Sequence, residues 1–244
     1  MTKPSFLAVA AGVSWAAISL GGAAQAAVVR LNFEGIAPYP NANNVQILDY
    51  YNGGTSSIGT SGPNLGVHFD SSALLLCLNS LSTTCSNTSR GGLAPGSDQG
   101  ALFFNSATST TLDYAAGFTT GFSFNYSDPS VTGETIQVFS GTGGTGTLLG
   151  TFSLPLTPDG KAGACPGYNA NYCPFVADGV SFSGTARSVV FGGVTNRVVF
   201  DDITFGASTP NVPEPATWAL MLLGVGGVGA TVRAKRRRQA EAFA

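Results

Sequence analysis

Charge is scarce in this sequence. Charged residues make up 10% of its 244 positions, and it has one histidine and four cysteines. So little charge excludes an extended, self-repelling chain, and a hydrophobic content of 43% is ample for a core, so disorder of the whole chain is excluded too. Between residues 27 and 210 no long stretch carries helical periodicity. Tryptophan is missing from that stretch as well, since Trp15 and Trp218 lie near the two ends. There is no G-x-S-x-G and no C-x-x-C. Those absences remove the usual frames of a hydrolase nucleophile elbow and of a compact zinc site. Glycine, by contrast, is abundant, with 33 residues and no collagen-like triplet, and it points to many tight turns.

The net charge of −2 is unevenly spread. Five of the eleven basic residues cluster near one end, at Arg233, Lys235, Arg236, Arg237 and Arg238. Residues 28–210 hold five basic against eleven acidic residues, a net of −6. An acidic domain without a basic stripe excludes a nucleic-acid partner.

Both ends read as sorting segments. Residues 1–26 have the anatomy of a secretory signal: Lys3, an apolar stretch from Phe6 to Leu20, and Ala24-Gln25-Ala26 as the small-x-small site for signal peptidase. At the other end, Ala216 to Val232 is an uncharged run of 17 residues. As a helix it spans roughly 25 Å, slightly less than a hydrocarbon core of ~30 Å. Trp218 suits one interface and the 233–238 basic cluster the other. The positive-inside rule puts that cluster in the cytoplasm and the preceding domain outside.

Val212-Pro213-Glu214-Pro215, then Trp218-Ala219-Leu220, a Gly-rich apolar helix and an Arg-rich end resemble the PEP-CTERM sorting signal. The resemblance implies a Gram-negative, exopolysaccharide-producing source and a biofilm setting. It implies processing by exosortase, a membrane transpeptidase-like enzyme that recognises Pro-Glu-Pro. The expected product is an inner-membrane-anchored precursor that ends at the cell surface or in the extracellular matrix. The expected organisation is a signal peptide at 1–26, an ectodomain at 27–208, a sorting segment at 209–238 and a tail at 239–244.

The ectodomain is expected to be all-β, a single jelly-roll-like β-sandwich. Short runs of β-branched and aromatic residues are separated by Gly, Asn, Asp and Pro. Strands are expected at Val28–Glu34, Val45–Tyr51, Gly66–Phe69, Ala101–Phe104, Thr110–Tyr114 and Phe118–Tyr126. Others fall at Thr135–Ser140, Thr147–Leu154, Val180–Ser183, Ser188–Phe191 and Arg197–Phe205. Phe122, Phe124 and Tyr126 share one face, as do Ile136 and Val138, which is the alternation of a half-buried strand.

Gly141 to Gly146 fits the spacing G-x-G-x-x-G, but a strand follows it where a phosphate cradle needs a helix, so it reads as a hairpin loop. Cys77, Cys85, Cys165 and Cys173 form two close pairs, each eight positions apart. In an exported chain an even count implies disulfides, and three connectivities are possible. The favoured one is Cys77–Cys85 with Cys165–Cys173. His68 lacks a nucleophile elbow to serve, so no catalytic residue is assigned and the domain is expected not to be an enzyme.

Leu31-Asn32-Phe33-Glu34-Gly35 opens the domain and Val199 to Gly206, with Asp201-Asp202-Ile203, closes it. First and last strands of a sandwich are often neighbours, and oxygen-rich residues meeting there suit Ca²⁺. These two segments resemble the Phe-Glu start and Asp-Asp-Ile end of MAM-type and related jelly-roll carbohydrate-binding modules. That resemblance implies a structural calcium held by Glu34 and by Asp201 or Asp202, with backbone carbonyls completing the shell. The expected function is non-catalytic association with exopolysaccharide, with Tyr39, Tyr50, Tyr51, Tyr168 and Tyr172 as sugar platforms. A purely structural matrix component is the alternative, and a polysaccharide hydrolase the weakest reading.

Overall fold

A computed structural model describes residues 29–38, 44–78, 99–130, 132–168 and 171–207. The signal segment 1–26, the sorting segment 209–238 with its 216–232 span, the 239–244 tail, Tyr39 and Cys85 lie outside the described residues. Among the described residues all regular structure is strand. In order the strands are β1 Arg30–Leu31, β2 Val45–Gln46, β3 Val67–Phe69, β4 Leu74–Cys77, β5 Gly100–Phe103 and β6 Ser109–Phe118. Then come β7 Gly121–Ser127, β8 Thr135–Phe139, β9 Leu148–Ser153, β10 Val176–Ser181, β11 Ala186–Gly192 and β12 Val199–Phe205.

They form two antiparallel sheets. One has seven strands in the order β10-β7-β12-β5-β4-β2, with β1 also paired to β12. The other has five, in the order β3-β6-β11-β8-β9. Alternation decides which side chains meet between them. Phe122 and Phe124 of β7, Phe200 of β12 and Leu102 of β5 join Leu112 of β6, Phe191 of β11 and Ile136 and Val138 of β8 in one buried cluster. Phe124 and Phe200 lie edge to face at 5.8 Å, and the rings of Phe191 and Phe200 are 4.7 Å apart. Burying each such ring contributes about 2–3 kcal/mol.

The seven-stranded sheet is covered on its outer face as well. Leu74, Leu76, Leu78, Ala101, Phe103 and Val199 form a second buried cluster with Tyr172 and Phe175. The last two belong to the long connection from β9 to β10, which acts as a strap. It is tied to the end of β7 where Thr157 N–H donates to the Asp128 carbonyl, at 2.9 Å. It is closed on itself by the Cys165–Cys173 disulfide, with Cα atoms 5.8 Å apart. Tyr172 anchors it further by donating its hydroxyl to the Arg197 carbonyl.

The two lateral sides of the sandwich differ. Beside β2 and β3 the 44–66 segment bridges the sheets: Phe69 N–H reaches the Leu48 carbonyl, Val67 N–H the Tyr51 carbonyl and Ile47 N–H the Ala73 carbonyl. On the opposite side β9 and β10 each pair with a single neighbour among the described residues. Among the described residues both clusters lie within residues 31–205.

Several expected strands differ in detail. Val45–Tyr51 shrinks to two residues because Leu48 has φ of 51° and the chain turns there. β6 runs on to Phe118 and the turn falls at Thr119–Thr120, where Thr120 has φ of 72°. β4 was not among the expected strands. Its Leu-Leu-Leu-Cys run does not alternate, because both of its faces are buried.

Candidate functional site

β1 and β12, the first and last strands, pair antiparallel, with Arg30 opposite Thr204 and Leu31 opposite Ile203. The pairing of β12 with β7 slips between Asp201 and Thr204, forming a bulge. Within it Asp202 takes φ of 53°, a left-handed conformation that Asp tolerates better than most residues. The bulge keeps Asp202 on the outer face with its carboxylate 1% exposed. Arg30 meets it there: Nε and Nη2 both donate to Oδ1, at 3.0 and 2.7 Å. Asn125 Nδ2 donates to Oδ2 at 3.0 Å. Asp201 is equally buried, and its Oδ1 accepts the Asp202 N–H at 2.6 Å.

Glu34 follows β1 and reaches the start of β5. Its Oε1 accepts the backbone N–H groups of Gln99 and Gly100, at 2.9 and 2.7 Å. β5, whose start Glu34 reaches, neighbours β12, which carries Asp201 and Asp202. Asp202 fits a calcium ligand poorly, because both of its oxygens accept from other side chains and a guanidinium already neutralises it. Among the described residues no group of three or more His, Cys, Asp or Glu side chains is arranged to hold a metal ion. A calcium held here would therefore rest on Glu34, Asp201 and backbone carbonyls.

The remaining polar positions are taken up by the fold. Asp70 accepts the N–H groups of Ser72 and Thr111 and the hydroxyl of Thr110. The glycine-rich hairpin between β8 and β9 folds back over its own sheet: Gly143 N–H donates to Asp113 Oδ1 at 2.6 Å and Gly144 N–H to Ser188 Oγ at 3.0 Å. The amides that would cradle a phosphate in a nucleotide loop thus hold the chain's own side chains. His68 Nδ1 lies 2.9 Å from Asp49 Oδ1, and both side chains are about half exposed. The hydrogen bond from His68, then that from Asn52, holds the Asp49 carboxyl below the usual range. No hydroxyl is joined to the His68 ring among the described hydrogen bonds.

Glu134 stands out although nothing in its sequence context marks it. It is fully buried at the head of β8, and the Val194 N–H lies 3.0 Å from each of its oxygens. Burial raises its carboxyl, the Val194 bond opposes that rise, and nearby Asp128 adds to it. Tyr126 is likewise pushed up to about 12, mainly by burial.

The proposed tyrosine platforms need correction. Tyr50 (7% exposed), Tyr51 (2%) and Tyr172 (5%) are core residues. Tyr51 Oη accepts the Phe33 N–H, and Tyr50 donates to the Glu34 carbonyl. Rings buried in this way cannot stack on a sugar. Tyr168 is partly exposed, and Tyr39 lies outside the described residues.

Fold and C-terminal motif together define an exported β-sandwich protein with a sorting signal. The model of the PEP-CTERM protein-sorting motif matches residues 211–238, which include Val212-Pro213-Glu214-Pro215 and the basic cluster. The motif targets its chain for export and for exosortase, which processes the membrane-anchored precursor. Among solved structures the chain is similar to "CsCBM6-3 from Clostridium stercorarium in complex with cellobiose". The identity is 27% over 47% of this chain and 79% of that one, at a TM-score of 0.28, too loose to transfer residues or ligand. No curated protein matches the chain. Among the described residues no helix is long and apolar enough to cross a membrane. Cys165–Cys173 is bonded as expected, and Cys77 is disulfide-bonded too.

Proposed function

We propose that the chain reaches the cell surface or extracellular matrix of a Gram-negative cell through a signal peptide and exosortase. There its sandwich serves non-catalytically in contact with exopolysaccharide. The observation that carries the binding reading is a neutral, hydroxyl-rich surface. From Thr135 to Pro158 the chain has no charged residue, and Thr142, Thr145 and Thr147 at the hairpin tip are exposed. Hydroxyls of this kind exchange hydrogen bonds with sugar hydroxyls and do not repel a neutral polymer. The non-catalytic part is supported by the carboxylates: Asp70, Asp113, Glu134 and Asp202 are each committed to hydrogen bonds of the fold. Retention of the 27–208 segment on the host's exopolysaccharide, weakened by Thr142→Ala with Thr147→Ala, is the expected result. No retention would sink the reading, and release of reducing sugar would replace it with a hydrolase.

The burial of Tyr50, Tyr51 and Tyr172 favours a second reading, a structural matrix component without a dedicated ligand. Failure to retain any polysaccharide, with the protein still in the matrix, would support it. Calcium belongs to both readings as a structural ion at Glu34 and Asp201. Its test is thermal melting of the segment with calcium and with EDTA: stabilisation by calcium that Glu34→Ala abolishes supports it, and identical curves remove it.

A further inference from the structure

We infer that the free edge of the five-stranded sheet, strand β9, is an interface at which two copies of this chain pair antiparallel. Among the described residues β9 has only β8 as a neighbour. Leu154 N–H donates to the Glu134 carbonyl at 2.9 Å, and Ile136 lies opposite Phe152. Hydrogen-bonded pairs alternate along an antiparallel ladder, so Phe152 turns its backbone groups to β8 while Thr151 and Ser153 turn theirs outward. Both residues are exposed. An outward row of N–H and C=O groups is a template for another strand unless the sequence guards it.

Among the described residues the other edges are guarded and this one is open. β2 has two residues and β3 three. The 44–66 segment closes that side of the sandwich. β10 is as long as β9 but carries Asp178. β9 has no charge and no proline, and its one irregularity, a register shift at Leu148–Gly150, leaves Gly150–Ser153 in regular pairing.

A second copy is the occupant that the strand fits best. The domain carries a net charge of −6, so two copies repel over most of their surface. From Thr135 to Pro158 no charge stands in the way. The strip is also self-complementary. A two-fold axis through Phe152 sets Thr151 opposite Ser153 of the second copy, and Phe152 opposite Phe152. Hydroxyl pairs and aromatic pairs are favourable across strands. Leu148, at the start of the strand, is 48% exposed, and Leu156, just past its end, is 50% exposed, so apolar surface flanks the strip at both ends. The join is small, so it belongs with weak, reversible interfaces.

Sedimentation of the 27–208 segment over a concentration series tests this. The wild type should pass from monomer to dimer with concentration, and the amides of Thr151 and Ser153 should exchange more slowly in the dimer. Thr151→Lys with Ser153→Lys sets two lysine pairs across the join and should weaken association by roughly tenfold or more. The double-glutamate variant at the same positions should also be monomeric. Mixing the two variants should restore a one-to-one dimer, which a general loss of folding would not do. Ser181→Lys on β10 should leave the dimer intact. A wild type still monomeric near 1 mM, roughly the weakest range worth considering, overturns the proposal. So does a dimer that the lysine pair leaves untouched.

Discussion

Replacing Asp202 by alanine should destabilise the domain by about 3–6 kcal/mol, because three effects combine. Arg30 loses its bonds to Asp202; with its side chain 39% exposed, water recovers part of that loss, which leaves about 1–2 kcal/mol. Asn125, buried at 2%, loses the acceptor of its Nδ2 donor, at about 1–3 kcal/mol. Alanine must also hold φ of 53°, at about 1 kcal/mol over aspartate. Asparagine keeps an acceptor and tolerates the left-handed backbone, so Asp202→Asn should cost only about 1–2 kcal/mol. Urea unfolding of the 27–208 segment, followed by circular dichroism, measures both. The loss should be the same with calcium and with EDTA, because the partner of Asp202 is Arg30. An alanine variant within about 0.5 kcal/mol of wild type would refute the reasoning. So would an asparagine variant as damaged as the alanine one.

Gly193→Ala would bring a Cβ to 1.0 Å from Glu134 Oε2, forcing the carboxylate off the Val194 N–H. The expected cost is about 2–4 kcal/mol, with Glu134→Ala in the same chain making the two losses far from additive in a double-mutant cycle. Glu134 also sets a pH dependence. Burial raises its carboxyl in the folded state, so the native protein favours the proton, and stability falls as pH climbs from the unfolded carboxylate value through the raised one. Urea midpoints from about pH 4 to about pH 7 should therefore show Glu134→Gln gaining on wild type as pH rises, and a gap that stays constant would contradict the assignment. Cys165→Ser with Cys173→Ser opens a loop of eight-residue separation, which should cost about 2.5 kcal/mol by loop entropy and loosen Tyr172 and Phe175 first, as hydrogen exchange in the strap would show.

The all-β sandwich was legible because alternation survives in most strands: Phe122, Phe124, Ile136 and Val138 point inward as their spacing required. β4 was hidden by the strap. Once Tyr172 and Phe175 cover the outer face, Leu74 and Leu76 are free to be as apolar as Leu75, and the period of two disappears. The pairing of β1 with β12 was legible as a meeting of the domain's two ends. The role of Asp202 was not, because Arg30 lies 172 positions away and the bulge that aims the carboxylate at it depends on the pairing with β7. Glu134 gave no signal, since its importance comes from a glycine that only the fold brings beside it. The tyrosines misled for the opposite reason: Tyr50 and Tyr51 sit in a turn-rich segment that looks exposed, yet their rings seal the side of the core.

The place of β12 has a mechanical consequence. This last strand, from which the chain runs on toward the sorting motif, is no edge of its sheet; it lies between β7 and β5 and carries β1 as well. Tension drawn through the tail thus enters the middle of the seven-stranded sheet. It shears several ladders at once, where a peripheral strand would peel away one hydrogen bond at a time. For any pull applied at the end of β12, the Arg30–Asp202 pair adds a side-chain link between the first strand and the one that is pulled.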